Sequence, residues 1–127
     1  LGLGEVVHFL GAVDPEDLPW LYSACRIYLN PSLYEGFGLP ALEALACGAP
    51  SIVADTSSLP EVVGDAAYLL PPQDVGAWAE LIASLWDDET TRAELARRGP
   101  QQAATFSWRR AAQETLAIYR RVAGRAA

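Results

Sequence analysis

Four short apolar runs, EVVHFL (5–10), RIYLN (26–30), PSIVA (50–54) and AAYLL (66–70), are separated by stretches of helical character and bounded by Gly or Pro. This alternation constrains the fold more than any other feature. Runs of this length, rich in β-branched and aromatic residues, read as strands. Pro15–Cys25 reads as a helix, with Asp14 as its cap, Pro15 in its first turn, and Leu18, Leu21 and Tyr22 as its apolar stripe. Pro40–Cys47 reads as a second, with Gly48 just past its end, and Glu61–Val63 as a short helical turn. Asp74 caps a helix running to Trp86, with Trp78, Leu81, Ile82 and Leu85 on one face. Asp88 opens another over Glu89–Arg98, and Ser107 a last one whose Leu116, Tyr119 and Val122 are expected to face inward. Strands alternating with helices imply an α/β class: a Rossmann-like parallel sheet flanked by helices and joined by right-handed crossovers. Such sheets bind ligands beyond the carboxyl ends of their strands.

A chain of 127 residues is one domain, 1–127, with 107–127 as its C-terminal helix. Its net charge of −7 is unevenly spread. Leu1–Ala96 carries fifteen acidic residues against two arginines; Arg97–Ala127 carries seven arginines against one glutamate, and lysine is absent. An acidic chain lacks the basic surface that phosphate neutralisation requires, so nucleic acid is not an expected partner. The basic tail reads either as a solvated helix face or as a contact with an acidic partner or membrane surface. Cys25 and Cys47 have neither metal-ligand spacing nor a disulfide pattern, and read as core thiols of a reducing compartment. No Met occurs, even at position 1, which suggests a piece of a longer protein.

The chemistry concentrates in SLYEGFGLPALE (32–43), the loop that leaves the second strand and opens a helix. Gly36 and Gly38 let the backbone turn sharply and approach a ligand. The first amides of the following helix lack internal acceptors and carry partial positive charge, which suits a phosphate or pyrophosphate. Glu43 is the only charged residue between Glu35 and Asp55, and it lies in an apolar run. An unpaired carboxylate buried there would cost several kcal/mol. Two donating hydroxyls of a vicinal diol would offset that. Spacing alone leaves a second reading open, in which Glu43 emerges at the surface and complements the helix dipole. Glu35 by itself reads as a turn residue. Together, with the glycines between them, the two carboxylates describe a site for a nucleotide sugar. His8 reads as core or surface, and neither Ser32 nor Ser57 has a neighbouring base to make it a nucleophile.

The segment EGFGLPALEALACGAPSIVADTSSLPEVVGDAAYLLPPQD resembles the C-terminal, donor-binding half of retaining GT-B glycosyltransferases of the group 1, or family 4, type. Its hallmark is two glutamates separated by seven residues, here Glu35 and Glu43. The likeness extends to VHFLGAV, CRIYLNPS and FSW, nearly the whole chain. It implies sugar transfer, with retention, from a nucleoside diphosphate sugar to an acceptor hydroxyl, with no metal and no cofactor. Glu43 would bind the ribose hydroxyls of the donor, and Glu35, the catalytic candidate, the hydroxyls of the transferred sugar. Gly36 and the amides of Phe37, Gly38 and Leu39 would contact sugar and diphosphate, and the loop at Gly11–Val13, Val13 included, would lie near the base. Glu61 matches a recurrent family glutamate of structural character. Many relatives have Gly-Gly where this chain has Ser57-Ser58.

The resemblance also implies what is missing: the first two strands of the sheet, the upstream basic residues that bind diphosphate, and the N-terminal domain that takes a sugar or lipid-linked acceptor. The chain is therefore expected to be inactive alone. VVHFL would be left unpaired, repacked against RIYLN, or paired with another chain, while RIYLN, PSIVA and AAYLL form a contiguous parallel core. The expected location is the cytoplasm, at the inner face of the membrane if the basic tail touches it. Two alternatives stand beside this: a non-catalytic nucleotide-binding module, and a glycoside hydrolase using Glu35 and Glu43 as acid and base. A Rossmann dehydrogenase is disfavoured, because no G-x-G-x-x-G follows a strand.

Overall fold

A computed structural model describes residues 2–124. Three parallel strands, β1 (Tyr28–Asn30), β2 (Ser51–Ala54) and β3 (Tyr68–Leu70), lie in the order β1-β2-β3. Leu29 stands opposite Ile52, and Val53 opposite Leu69. This is the contiguous parallel core expected from the sequence. The central strand is buried along its whole length, as a strand covered on both faces must be.

Helices α1 (Leu18–Ala24), α2 (Leu39–Ala46), α3 (Leu59–Val63), α4 (Val75–Asp87), α5 (Glu89–Ala103) and α6 (Trp108–Ala123) complete the chain. The core joins Ala41 and Leu45 of α2, Ile52 and Val53 of β2, Leu59, Val62 and Val63 of α3, Trp78 and Leu85 of α4, and Leu95 of α5. Asp74 and Asp88 cap α4 and α5 as expected, accepting from the amides of Ala77 (3.0 Å) and Thr91 (2.9 Å). None of the helices among the described residues is long and apolar enough to cross a membrane.

Four expectations need correction. First, the run 5–10 is not a strand: residues 4–6 form a turn, 7–10 join no sheet, and Phe9 is fully solvent-exposed. Strand propensity reflects packing against neighbours, and among the described residues no strand pairs with this run. Second, α1 starts at Leu18. Asp14 instead caps a preceding turn, its Oδ1 accepting from the Glu16 amide at 3.0 Å. Third, α5 continues through Pro100 to Ala103. A proline inside an isolated helix costs ~3 kcal/mol, but Leu95 and Gly99 bury this helix against the core. Gly99 permits the approach, since a Cβ there would stand 2.7 Å from the Leu45 carbonyl oxygen of α2. Fourth, α6 buries nothing. Leu116, Tyr119 and Val122 are all exposed, so the expected inward stripe faces solvent. Residues 125–127 of the expected last helix lie outside the described residues.

Candidate functional site

The loop leaving β1 and the loop leaving β2 emerge side by side, because their strands are parallel neighbours. The first holds Glu35, Gly36, Phe37 and Gly38 and runs into α2. Gly38 takes φ +96°, a left-handed conformation natural to glycine, and a Cβ there would meet Leu59 Cδ2 at 2.8 Å. Both constraints bring α3 tightly under the loop.

The second loop, Thr56-Ser57-Ser58, grips the first. The Ser58 hydroxyl lies 3.0 Å from the Glu35 carbonyl and 2.9 Å from the Phe37 carbonyl, to which its single proton can donate. The Glu35 amide donates to Ser57 Oγ at 3.0 Å, and Thr56 Oγ1 donates to the Leu33 carbonyl at 3.3 Å. Ser57 adopts φ +49°, the only positive φ of a non-glycine residue among those described. That explains in backbone terms why glycine suits this position. Sequence reading drew nothing from these hydroxyls. The available signal was a run of three hydroxyl residues at the carboxyl end of the strand beside the glycine loop.

With the Glu35 amide engaged, the amides of Gly36, Phe37, Gly38 and Leu39 have no acceptor among the described residues. They sit at the positive end of α2, and Gly36 borders open space. Anion recognition by such amides is a general property of helix starts. Here the run lies between two carboxylates.

Glu35 is half-buried, and its Oε1 accepts from the Ser32 hydroxyl at 2.9 Å. Glu43 is exposed and its Oε2 accepts from the Tyr22 phenol at 3.2 Å. Of the two settings left open for Glu43, the buried one is therefore wrong and the exposed one holds. Ala41, Ala44 and Leu45 form the buried face of α2, and Glu43 projects from the other side. No desolvation cost demands a ligand there. Burial pushes the Tyr28 phenol up to about 12, against a lowering influence of Asn30, and the Glu35 and Glu43 charges add to the rise. Val13 stands apart, half-buried beside Leu10, Asp14 and Trp20. Glu61 is exposed in the first turn of α3.

An apolar cavity of about 540 Å³ opens beside the loop, between Phe37, Leu39 and Leu42 on one side and Phe106, Trp108 and Ala111 on the other. Phe37 meets Phe106 edge-to-face at 5.6 Å. Ser107, Arg110 and Glu114 add polar groups to its otherwise apolar lining.

The family model of group 1 glycosyl transferases matches residues 1–102. The chain belongs to this family. It is 45% identical over 114 residues to the O-antigen chain mannosyltransferase B of Escherichia coli, which covers 90% of this chain and 30% of that protein. It is 36% identical to the MMP alpha-(1->4)-mannosyltransferase of Mycolicibacterium hassiacum, across 100% of this chain and 32% of that protein. Among solved structures, sucrose-phosphate synthase from Thermosynechococcus elongatus superposes with a TM-score of 0.86 at 34% identity, over 96% of this chain and 31% of the synthase. The family member's fold is thus the GT-B glycosyltransferase type, and the chain spans about a third of the length of these relatives.

Proposed function

We propose that the protein transfers a hexosyl group from a nucleoside diphosphate sugar to an acceptor hydroxyl with retention of configuration, and that this chain supplies part of the donor site. The observation that carries the reading is the run of four unpartnered amides, Gly36 to Leu39, between Glu35 and Glu43. Amides fixed before the donor arrives stabilise the charge that develops on a departing diphosphate, without reorganising during the step. Glu43, on the exposed side of α2, takes the ribose hydroxyls. Glu35, oriented by Ser32, takes hydroxyls of the transferred sugar and sets its position against the leaving group. Val13 lies toward the base. The remaining charge balance falls to basic side chains outside this chain, without a metal or a cofactor, and the acceptor, a sugar or lipid-linked one, binds a further domain. This chain alone then performs no transfer.

Membership of the family and similarity to two proteins named as mannosyltransferases support the reaction class. Two free thiols, Cys25 and Cys47, fit a reducing, cytoplasmic setting. The arginines of α6 fit contact with an acidic membrane surface.

The test uses the protein at full length. Nucleoside diphosphate affinity measured by calorimetry is expected to fall about tenfold in Glu43→Ala, the scale of a hydrogen bond to a charged acceptor. Unchanged affinity sinks the ribose role. The anomeric configuration of the product, read by NMR, is expected to match the donor; inversion overturns the retaining mechanism.

A further inference from the structure

Glu43 poses a problem that its role as ribose acceptor does not solve. An exposed glutamate has three side-chain torsions free, and holding one orientation costs conformational entropy. A carboxylate that must receive two hydroxyls at once needs that orientation before the ligand arrives. None of the ion pairs among the described residues involves Glu43. The polar side chain that does reach it is Tyr22, on the neighbouring helix α1, whose phenol lies 3.2 Å from Oε2.

We infer that Tyr22 is the positioning residue for Glu43, its phenol holding the carboxylate in the orientation that receives a ribose diol. The proposal rests on the ribose reading of Glu43. Three observations support it. Tyr22 is itself held: it is half-buried, and its ring packs edge-to-face on Tyr28 with centroids 5.8 Å apart. Tyrosine has only two side-chain torsions, so a fixed ring fixes the donor. The lone pairs also suffice. A carboxylate offers about four acceptor sites; Tyr22 takes one on Oε2 and leaves room on both oxygens for two hydroxyls. Finally, the phenol stays protonated at neutral pH. Burial first, then the Glu43 charge and the hydrogen bond to it, push it up to about 12.

The experiment compares binding of a nucleoside diphosphate and its 2′-deoxy counterpart to the full-length protein, by calorimetry, in the wild type, Tyr22→Phe, Glu43→Ala and the double variant. The Phe ring retains the contact with Tyr28. The wild type is expected to prefer the ribo form about tenfold. Tyr22→Phe should remove a large part of that preference by weakening the ribo form alone, and Glu43→Ala should remove it all. On the Glu43→Ala background Tyr22→Phe should change nothing, the signature of action through one group. If Glu43→Ala abolishes the preference and Tyr22→Phe leaves it intact, the positioning role fails and the ribose reading stands. Equal weakening of both nucleotides by Tyr22→Phe assigns the tyrosine to helix packing and overturns the inference. A wild type without ribo preference overturns the ribose reading itself. Should Tyr22→Phe not fold, a ring-fluorinated tyrosine at position 22 keeps the shape but ionises at lower pH. The ribo preference should then be lost at lower pH than in the wild type, and an unshifted profile overturns the inference.

Discussion

The loop around Gly38 and the helix α6 are both rich in apolar residues, yet they stand at opposite extremes of packing. At the loop the constraints reinforce one another: Gly38 is required both by its φ of +96° and by Leu59 pressing on it, and the Thr56-Ser57-Ser58 segment secures the backbone that leads into it. In α6 a regular stripe of Leu116, Tyr119 and Val122 finds no surface among the described residues. An apolar period shows that a face will be covered, but not which element covers it. Only topology supplies that.

The contrast can be broken most sharply at Gly38. Replacement by Ala forces a left-handed side chain against Leu59, and is expected to cost about 2–4 kcal/mol in chemical denaturation. A cost under half a kcal/mol would mean that the loop gives way and is not held from below. Ser58→Ala, which releases two carbonyls from one hydroxyl, should cost about 1 kcal/mol by the same measurement and weaken nucleotide binding at full length. At α6, replacing Leu116 or Val122 with Gln should change the stability of this chain by no more than about 0.5 kcal/mol, the range of ordinary surface substitutions. A larger loss would place α6 against the core. The smallest effect concerns Glu94, which Arg97 and Arg98 hold down at about 2, from an ordinary value of 4.5. A depressed carboxyl contributes stability above its unfolded value, which is lost as pH falls through the folded value. Stability should therefore fall slightly as pH drops from 4.5 to about 2, and Glu94→Gln should flatten that slope.

Much of this was legible in the sequence. The parallel pairing of the strands follows from the alternation of elements, their contiguous order from the family resemblance, and Asp74 and Asp88 announce their helices because capping is a local interaction. The glycine loop and its two carboxylates were legible as a constellation. Other features depend on contacts distant along the chain. EVVHFL has strand composition but no partner beside it. The grip of Ser57 and Ser58 on residues more than twenty positions earlier is invisible to any local pattern. Pro100 looks like a helix end until Gly99 is seen packed on Leu45. The setting of Glu43 is itself local: Ala41, Ala44 and Leu45 define the inner face of α2, which leaves Glu43 outside.

The four free amides also have a consequence in time. Ala41 and Leu42 donate to the Gly38 carbonyl, and the Glu35 amide to Ser57. Gly36 to Leu39 therefore lie between the bonded amides of Glu35 on one side and Ala41 and Leu42 on the other. Their protons should trade with solvent deuterium far faster than those three. A ligand seated on them would write its outline as slowed exchange at these positions, a footprint readable without a mutation or a turnover assay.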